Sequence, residues 1–128
     1  MDTISNFINT LKIASRGGKT SFEFPATRLI NAIADALQVN GYLAGVTKKG
    51  KRKEILLLSL VPPSAGAPKV RAANRISRLG KRVYRSAREL HPIRNGFGMA
   101  LLSTPKGILS DRDARKENAG GEVLFEIW

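Results

Sequence analysis

Near the middle of the chain stands VPPSAGAP, residues 61–68. Proline has no backbone N–H to give and holds φ near −65°, and it pushes the residue before it away from helix. With prolines at 62, 63 and 68 and a glycine at 66, neither a helix nor a central strand can run through this stretch. A chain of 128 residues interrupted there is expected to fold as two small lobes: residues 1–61, a linker over 62–68, and residues 69–128. A hydrophobic content of 42% supplies a core for each, though not a thick one.

In the first segment Ile4, Phe7, Ile8 and Leu11 recur at i, i+3, i+4 and i+7, which predicts an amphipathic helix over residues 2–15 with Asp2 or Thr3 as its cap. The glycines of RGG (16–18) end it. TSFEF (20–24) reads as a short strand stopped by Pro25. Thr27 caps a second helix whose stripe is Leu29, Ile30, Ile33, Ala34 and Leu37, closed by Asn40-Gly41. YLAGVT and EILLLSL are strands around the turn KKGKRK, and the second, apolar on both faces, belongs in the middle of a sheet. In the second segment KVRAANRIS is extended, RLGK turns and RVY continues as a strand. SARELHPIRNG is a short helix made irregular by Pro92 and closed by Asn95-Gly96. FGMALLS is a strand, residues 110–121 form a helix with Ser110 as cap and Asp113 at N3, stopped at Gly120-Gly121, and EVLFEIW is the last strand. The fold class is α+β, with an N-terminal α-β-α-β-β lobe and a mainly β C-terminal lobe carrying short helices.

Charge limits the function. Lys and Arg number 22 against 10 Asp and Glu, for a net charge of +12 and a pI near 10.8. No acidic residue lies between Glu54 and Glu89, while Lys69, Arg71, Arg75, Arg78, Lys81, Arg82, Arg85 and Arg88 do. They fall on turn and strand-like sequence rather than opposite the broad apolar face of a membrane-surface helix, so the expected partner is nucleic acid and not a membrane. Cysteine is absent, which removes disulfides, thiol catalysis and thiolate metal sites and fits a reducing compartment. No apolar run nears the ~18 residues of a span, and MDTISNF lacks the basic start and apolar core of a signal peptide. A cytoplasmic protein without cofactor or metal is expected.

Several motifs suggest catalysis and lack its requirements. RGGKT ends like a phosphate-binding loop, but Ile13 stands where its first glycine belongs, and a helix precedes it. STPK (103–106) matches the S-x-x-K of penicillin-binding enzymes, whose Ser must open a helix; here an apolar strand leads in and Gly107 follows. His91 has no nominated nucleophile or orienter. Asp111, Asp113 and Glu117 suggest a magnesium site, but acids in a first helical turn are more simply favourable to the macrodipole. DRDARKEN starts too acidic to be a recognition helix for DNA. Trp128 is expected to pack on its own sheet.

Read for an RNA ligand, residues 103–107 make chemical sense. The hydroxyls of Ser103 and Thr104 suit base edges and the ribose 2′-OH, Lys106 suits a phosphate, and Gly107 lets backbone approach backbone. Gly120 and Gly121 offer a second close-approach surface, and Glu122 is an acceptor for a base amino group or an orienter of a neighbouring side chain. Arg82, Arg85 and Arg88, with Tyr84 as a stacking surface, complete the platform. An ordinary hairpin turn and C-cap glycine remain the simpler alternative.

ISRLGKRVY (76–84), NGFGMALLSTPKGILSDRDAR (95–115) and GGEVLFEIW (120–128) resemble, in order and spacing, the bacterial small-subunit ribosomal protein eight family. The N-terminal half agrees more loosely through its two helices and Gly41-Tyr42-Leu43. The resemblance implies a two-lobe protein that binds the central domain of small-subunit ribosomal RNA directly, helps that domain assemble, touches neighbouring ribosomal proteins and catalyses nothing. It places most RNA contacts in the C-terminal lobe, at Ser103, Thr104, Lys106 and Gly107, at Gly120, Gly121 and Glu122, and at Tyr84. Some family members also repress their own messenger RNA. The chain departs from the pattern at Pro105, where the family usually has Ser, at Leu79, where it usually has Pro, and in residues 11–15, LKIAS, where a basic helix end is usual.

Overall fold

The computed structural model describes residues 3–62, 70–93 and 98–128. The expected cap Asp2, linker positions 63–68, Lys69 and the expected stop Asn95-Gly96 lie outside the described residues. The chain divides into two units, Thr3–Arg71 and Ala72–Trp128.

The first unit runs α1 (Thr3–Arg16), β1 (Ser21–Pro25), α2 (Arg28–Val39), β2 (Leu43–Lys49) and β3 (Ile55–Leu60). Its strands form an antiparallel sheet in the order β1-β3-β2. The doubly apolar strand is central, with both edges paired; Leu56, Leu58 and Leu60 are buried and Ile55, Leu57 and Ser59 half-buried. Phe7 of α1 packs on β1, its ring centroid 6.1 Å from that of Phe22 and 5.2 Å from that of Phe24. On α2 the Thr27 hydroxyl accepts from the Ile30 amide at 3.1 Å, and Ile30, Ile33, Ala34 and Leu37 are buried. Leu29 does not join them. At 3.6 residues per turn it sits roughly a quarter turn from the stripe's centre, and it is 41% exposed.

The second unit holds β4 (Ala73–Arg75), β5 (Tyr84–Arg85), a 3-10 turn (Ala87–Glu89), β6 (Met99–Thr104), β7 (Gly107–Ser110), α3 (Asp111–Lys116) and β8 (Gly121–Ile127). Its sheet is ordered β4-β8-β6-β7, with β5 also paired to β8. Since β6 occupies one edge of β8 from Ser103↔Glu122 to Met99↔Ile127, β4 and β5 share the other, at residues 125–127 and 121–122. Fully buried Ser77 closes the excursion between them, its hydroxyl accepting from the Val83 amide at 2.9 Å. The core of this sheet includes Ala100, Leu102 and Val123, packed with Ile76, Leu90 and Ile93. Leu124 is buried as deeply as its neighbours Val123 and Phe125, so β8 is covered on both faces there rather than alternating in and out. Trp128 is half-buried on its own sheet, exchanging two backbone hydrogen bonds of 3.0 Å with Ala72.

Two expectations of local structure change. The helix expected from residue 86 shrinks to the 3-10 turn Ala87–Glu89, and Leu90 is already extended with ψ 137°. Pro92 forbids helical geometry to His91 and withdraws the amide that would continue the spiral. Residues 107–110 form a strand that is too short to show a period. Among the described residues the three α-helices end alike, in a Schellman motif. Lys19, Tyr42 and Ala119 donate to carbonyls five residues back, Ala14, Leu37 and Ala114. The left-handed residue before each is Gly18 (φ 72°), Gly41 (φ 83°) and Asn118 (φ 52°). The last of these corrects the expected stop of α3: Asn118 ends the helix, not Gly120-Gly121.

Candidate nucleic-acid interface

The expected site residues gather on the second unit. Tyr84 of β5 pairs with Glu122 of β8, which pairs with Ser103 of β6. Directly opposed residues on neighbouring strands share a face, so a phenol, a carboxylate and a hydroxyl stand in one row across three strands. Tyr84 is 64% exposed. Glu122 holds Arg82 through Oε1 and Oε2, at 3.3 and 3.0 Å. The Glu122 side chain is only 13% exposed and that of Arg82 53%, so the pair offers its guanidinium outward and keeps its carboxylate inside. Of the two roles expected for Glu122, the geometry favours the second, orienting its neighbour Arg82.

The hairpin joining β6 and β7 turns through Pro105 and Lys106, with Thr104 opposite Gly107. Neither central residue has a positive φ, and Gly107 follows at φ 111°. A turn whose central residues avoid positive φ, followed by a left-handed glycine, is an arrangement that hairpins favour. Proline suits the first central position, where no N–H is required of it, and that accounts for how the loop accepts Pro105. The Thr104 hydroxyl donates to the Gly107 carbonyl at 2.8 Å and accepts from the Lys106 amide at 3.1 Å. Its donor is thus engaged inside the turn, and Thr104 shapes the loop. Lys106 reaches back to the end of α3, donating to the Glu117 carbonyl at 3.1 Å and lying 3.5 Å from the Glu117 carboxylate. Ser103 remains exposed.

Gly120 and Gly121 weld these pieces together. A Cβ on Gly121 would stand 2.1 Å from the Ser103 carbonyl oxygen, and one on Gly120 would stand 2.6 Å from that of Arg85. The close approach foreseen for an RNA backbone is made first to the protein's own. Beside them opens a groove of about 550 Å³, lined by Tyr84, Arg85, Arg88, Asn118, Gly120 and Gly121 together with Ser86, Ala87 and Glu89. The Arg85 guanidinium donates to the Tyr84 carbonyl at 3.1 Å, and Arg88 is exposed on the 3-10 turn. The Ser86 amide donates to Glu89 Oε1 at 2.8 Å. That bond, a second from the Ser86 hydroxyl and the nearby charge of Arg85 hold the Glu89 carboxyl below the usual carboxylate range.

Sequence reasoning missed Asn118, Ser86 and Glu89 as groove residues. The available signals were an Asn just past a helix, where the left-handed region is tolerated, and S-x-x-E, a capping box. Arg75, counted among the basic residues, is half-buried and donates to the Leu124 carbonyl. Asp111 is buried, accepting from the Ala100 amide at 3.1 Å and from Arg115 at 3.0 Å. It ties α3 to β6, beyond any favour to the macrodipole. Among the described residues no three His, Asp or Glu side chains group as metal ligands, and no helix is long and apolar enough to cross a membrane. Ser103 lies in a strand and a turn follows it, so the Ser-Lys geometry of S-x-x-K, one helical turn apart, does not form.

Fold and surface define a class: a small, strongly basic α+β protein whose strand ends present arginines, a hydroxyl and an aromatic ring around closely packed glycine backbone. Comparison with known proteins gives the family. The chain matches the model of ribosomal protein S8 over residues 2–128, and it belongs to that family. A small ribosomal subunit protein uS8 of Cereibacter sphaeroides is 36% identical, the match covering 99% of this chain and 98% of that protein. Proteins of the same name from a Synechococcus strain and from Prochlorococcus marinus are 36% and 38% identical, each over 99% of this chain and 97% of the relative. The family is one of structural ribosomal proteins, not enzymes.

Proposed function

We propose that this chain is a structural constituent of the small ribosomal subunit in the cytoplasm, binding the central domain of small-subunit ribosomal RNA directly and helping it fold during assembly. The RNA-binding lobe is residues 69–128, joined through 62–68 to the lobe of residues 1–61, and neighbouring ribosomal proteins complete its contacts. The observation that carries the reading is the row Tyr84–Glu122–Ser103 across β5, β8 and β6, next to a turn seated against Gly121. A displaced base stacks on the exposed Tyr84 ring. Arg82, Arg85, Arg88 and Lys106 neutralise phosphates. Ser103 and the backbone around Gly107 meet ribose and base edges. No bond is made or broken; the protein works by fixing an irregular RNA shape.

The test is a binding titration at two salt concentrations, with the central-domain helix of small-subunit ribosomal RNA and a regular duplex of equal length. Much tighter binding to the irregular helix is expected. Equal affinity for the two would mean that the +12 charge binds polyanions generally, and the shape-reading role would fall.

A further inference from the structure

We propose that the tip of the β2–β3 hairpin, in the first unit, is a second RNA-contact site that grips phosphates without reading sequence. Its partner class rests on the RNA-binding reading above; the site itself rests on the tip.

Residues 47–54, TKKGKRKE, are all exposed. They carry Lys48, Lys49, Lys51, Arg52 and Lys53 against a single acid, Glu54. That acid is spent on the loop. Its Oε2 accepts from the Arg52 amide at 3.0 Å, and its carboxylate lies over Gly50, where a Cβ would stand 2.5 Å from Oε1. Lys49 is tied to Glu23 across the sheet. Among the described residues no carboxylate lies within ion-pair reach of Lys48, Lys51, Arg52 or Lys53. The backbone holds the cations in a defined turn. The Lys53 amide donates to the Gly50 carbonyl at 3.2 Å, with Gly50 at φ 90° and Lys53 itself at φ 56°. A lysine therefore occupies a left-handed position that Gly or Asn would fill with less strain.

Four like charges on one tip repel each other and bond to nothing in the described fold, so their favourable interactions lie with a polyanion. The stretch has no aromatic, Asn or Gln side chain, and three of its four unpaired cations are lysines, flexible point charges that suit phosphate better than base edges. It also has no apolar side chain to anchor it in a bilayer, so RNA fits better than a lipid surface.

The test uses the full chain with Lys48→Ser, Lys51→Ser, Arg52→Ser and Lys53→Asn combined, the Asn being tolerant of the left-handed backbone. Both RNAs of the titration above are measured across a salt series, and phosphatidylserine vesicles serve as the lipid probe. The variant is expected to lose at least about tenfold in affinity at low salt for both RNAs. Its log–log salt slope should be shallower by about 2–4, at roughly 0.9 per phosphate neutralised, with the preference between the RNAs unchanged. Unaltered slope and affinity would overturn the proposal, as would a loss confined to vesicle binding. If the wild type shows no preference for the irregular helix, the reading of the second unit fails, while a flattened slope in the tip variant still supports this site. Should the combined variant melt early, Lys51→Ser and Arg52→Ser singly each carry the test, with an expected slope change of about one.

Discussion

At the scale of single residues, Thr104 and Gly121 do work that their chemistry alone does not announce. The Thr104 hydroxyl joins the Gly107 carbonyl to the Lys106 amide. Thr104→Val removes both bonds and is expected to lower stability by about 0.5–1.5 kcal/mol, read by denaturant unfolding, with RNA affinity falling because the loop loosens. Thr104→Ser keeps the hydroxyl and should restore both readouts. If Thr104→Val leaves stability and affinity unchanged, the turn does not depend on that side chain. Gly121 has no such latitude, because any Cβ meets the Ser103 carbonyl at 2.1 Å and backbone must move. Gly121→Ala is expected to cost about 1–3 kcal/mol or more. A wild-type melting temperature for that variant would mean β8 can shift away from β6 without penalty.

At the scale of elements, the shared helix ending decides where chain direction changes. Asn118 closes α3 in the left-handed region, two residues before the glycines that look like the stop, and so frees Gly120 and Gly121 for strand packing. Asn118→Ala should destabilise by about 1 kcal/mol while Asn118→Gly is neutral or stabilising. Equal melting curves for the two would exclude a left-handed cap. The 3-10 turn makes a pH prediction. The Glu89 carboxyl is held below its ordinary value, first by the Ser86 amide, then by the Ser86 hydroxyl and Arg85. A depressed carboxylate contributes order above its unfolded pKa and loses it as pH falls through the lower folded value. The Ser86 amide resonance should therefore titrate below the usual carboxylate range, and Glu89→Gln should abolish that titration. A midpoint at the ordinary glutamate value would show that the carboxylate is free in solution.

At the scale of the molecule, +12 on 128 residues sets opposite salt dependences for folding and binding. Self-repulsion opposes the compact state and is screened by salt, so thermal stability at neutral pH should rise between 20 and about 200 mM salt. RNA affinity should fall steeply over the same range, because bound counterions are released from the RNA. A melting temperature that drops with salt would indicate that pairs such as Arg82–Glu122 and Lys106–Glu117 outweigh the repulsion.

The amino-acid order alone determined the α-β-α-β-β run of the first unit, the central place of β3, the Thr27 and Ser110 caps and the family resemblance. All of these rest on short-range periodicity, cap chemistry or contiguous motifs, which need no partner from elsewhere in the chain. Tertiary structure decided what depends on distant residues meeting. β4 and β5 share one edge of β8, and Glu122 stands between Tyr84 and Ser103. Arg75 turns inward, and Asp111 reaches the Ala100 amide. The Gly120-Gly121 pair shows the difference most sharply. As sequence it reads as a helix stop, because glycine permits the left-handed backbone. In the fold it is a packing site, because carbonyls of Arg85 and Ser103 approach from other strands and leave no room for a side chain.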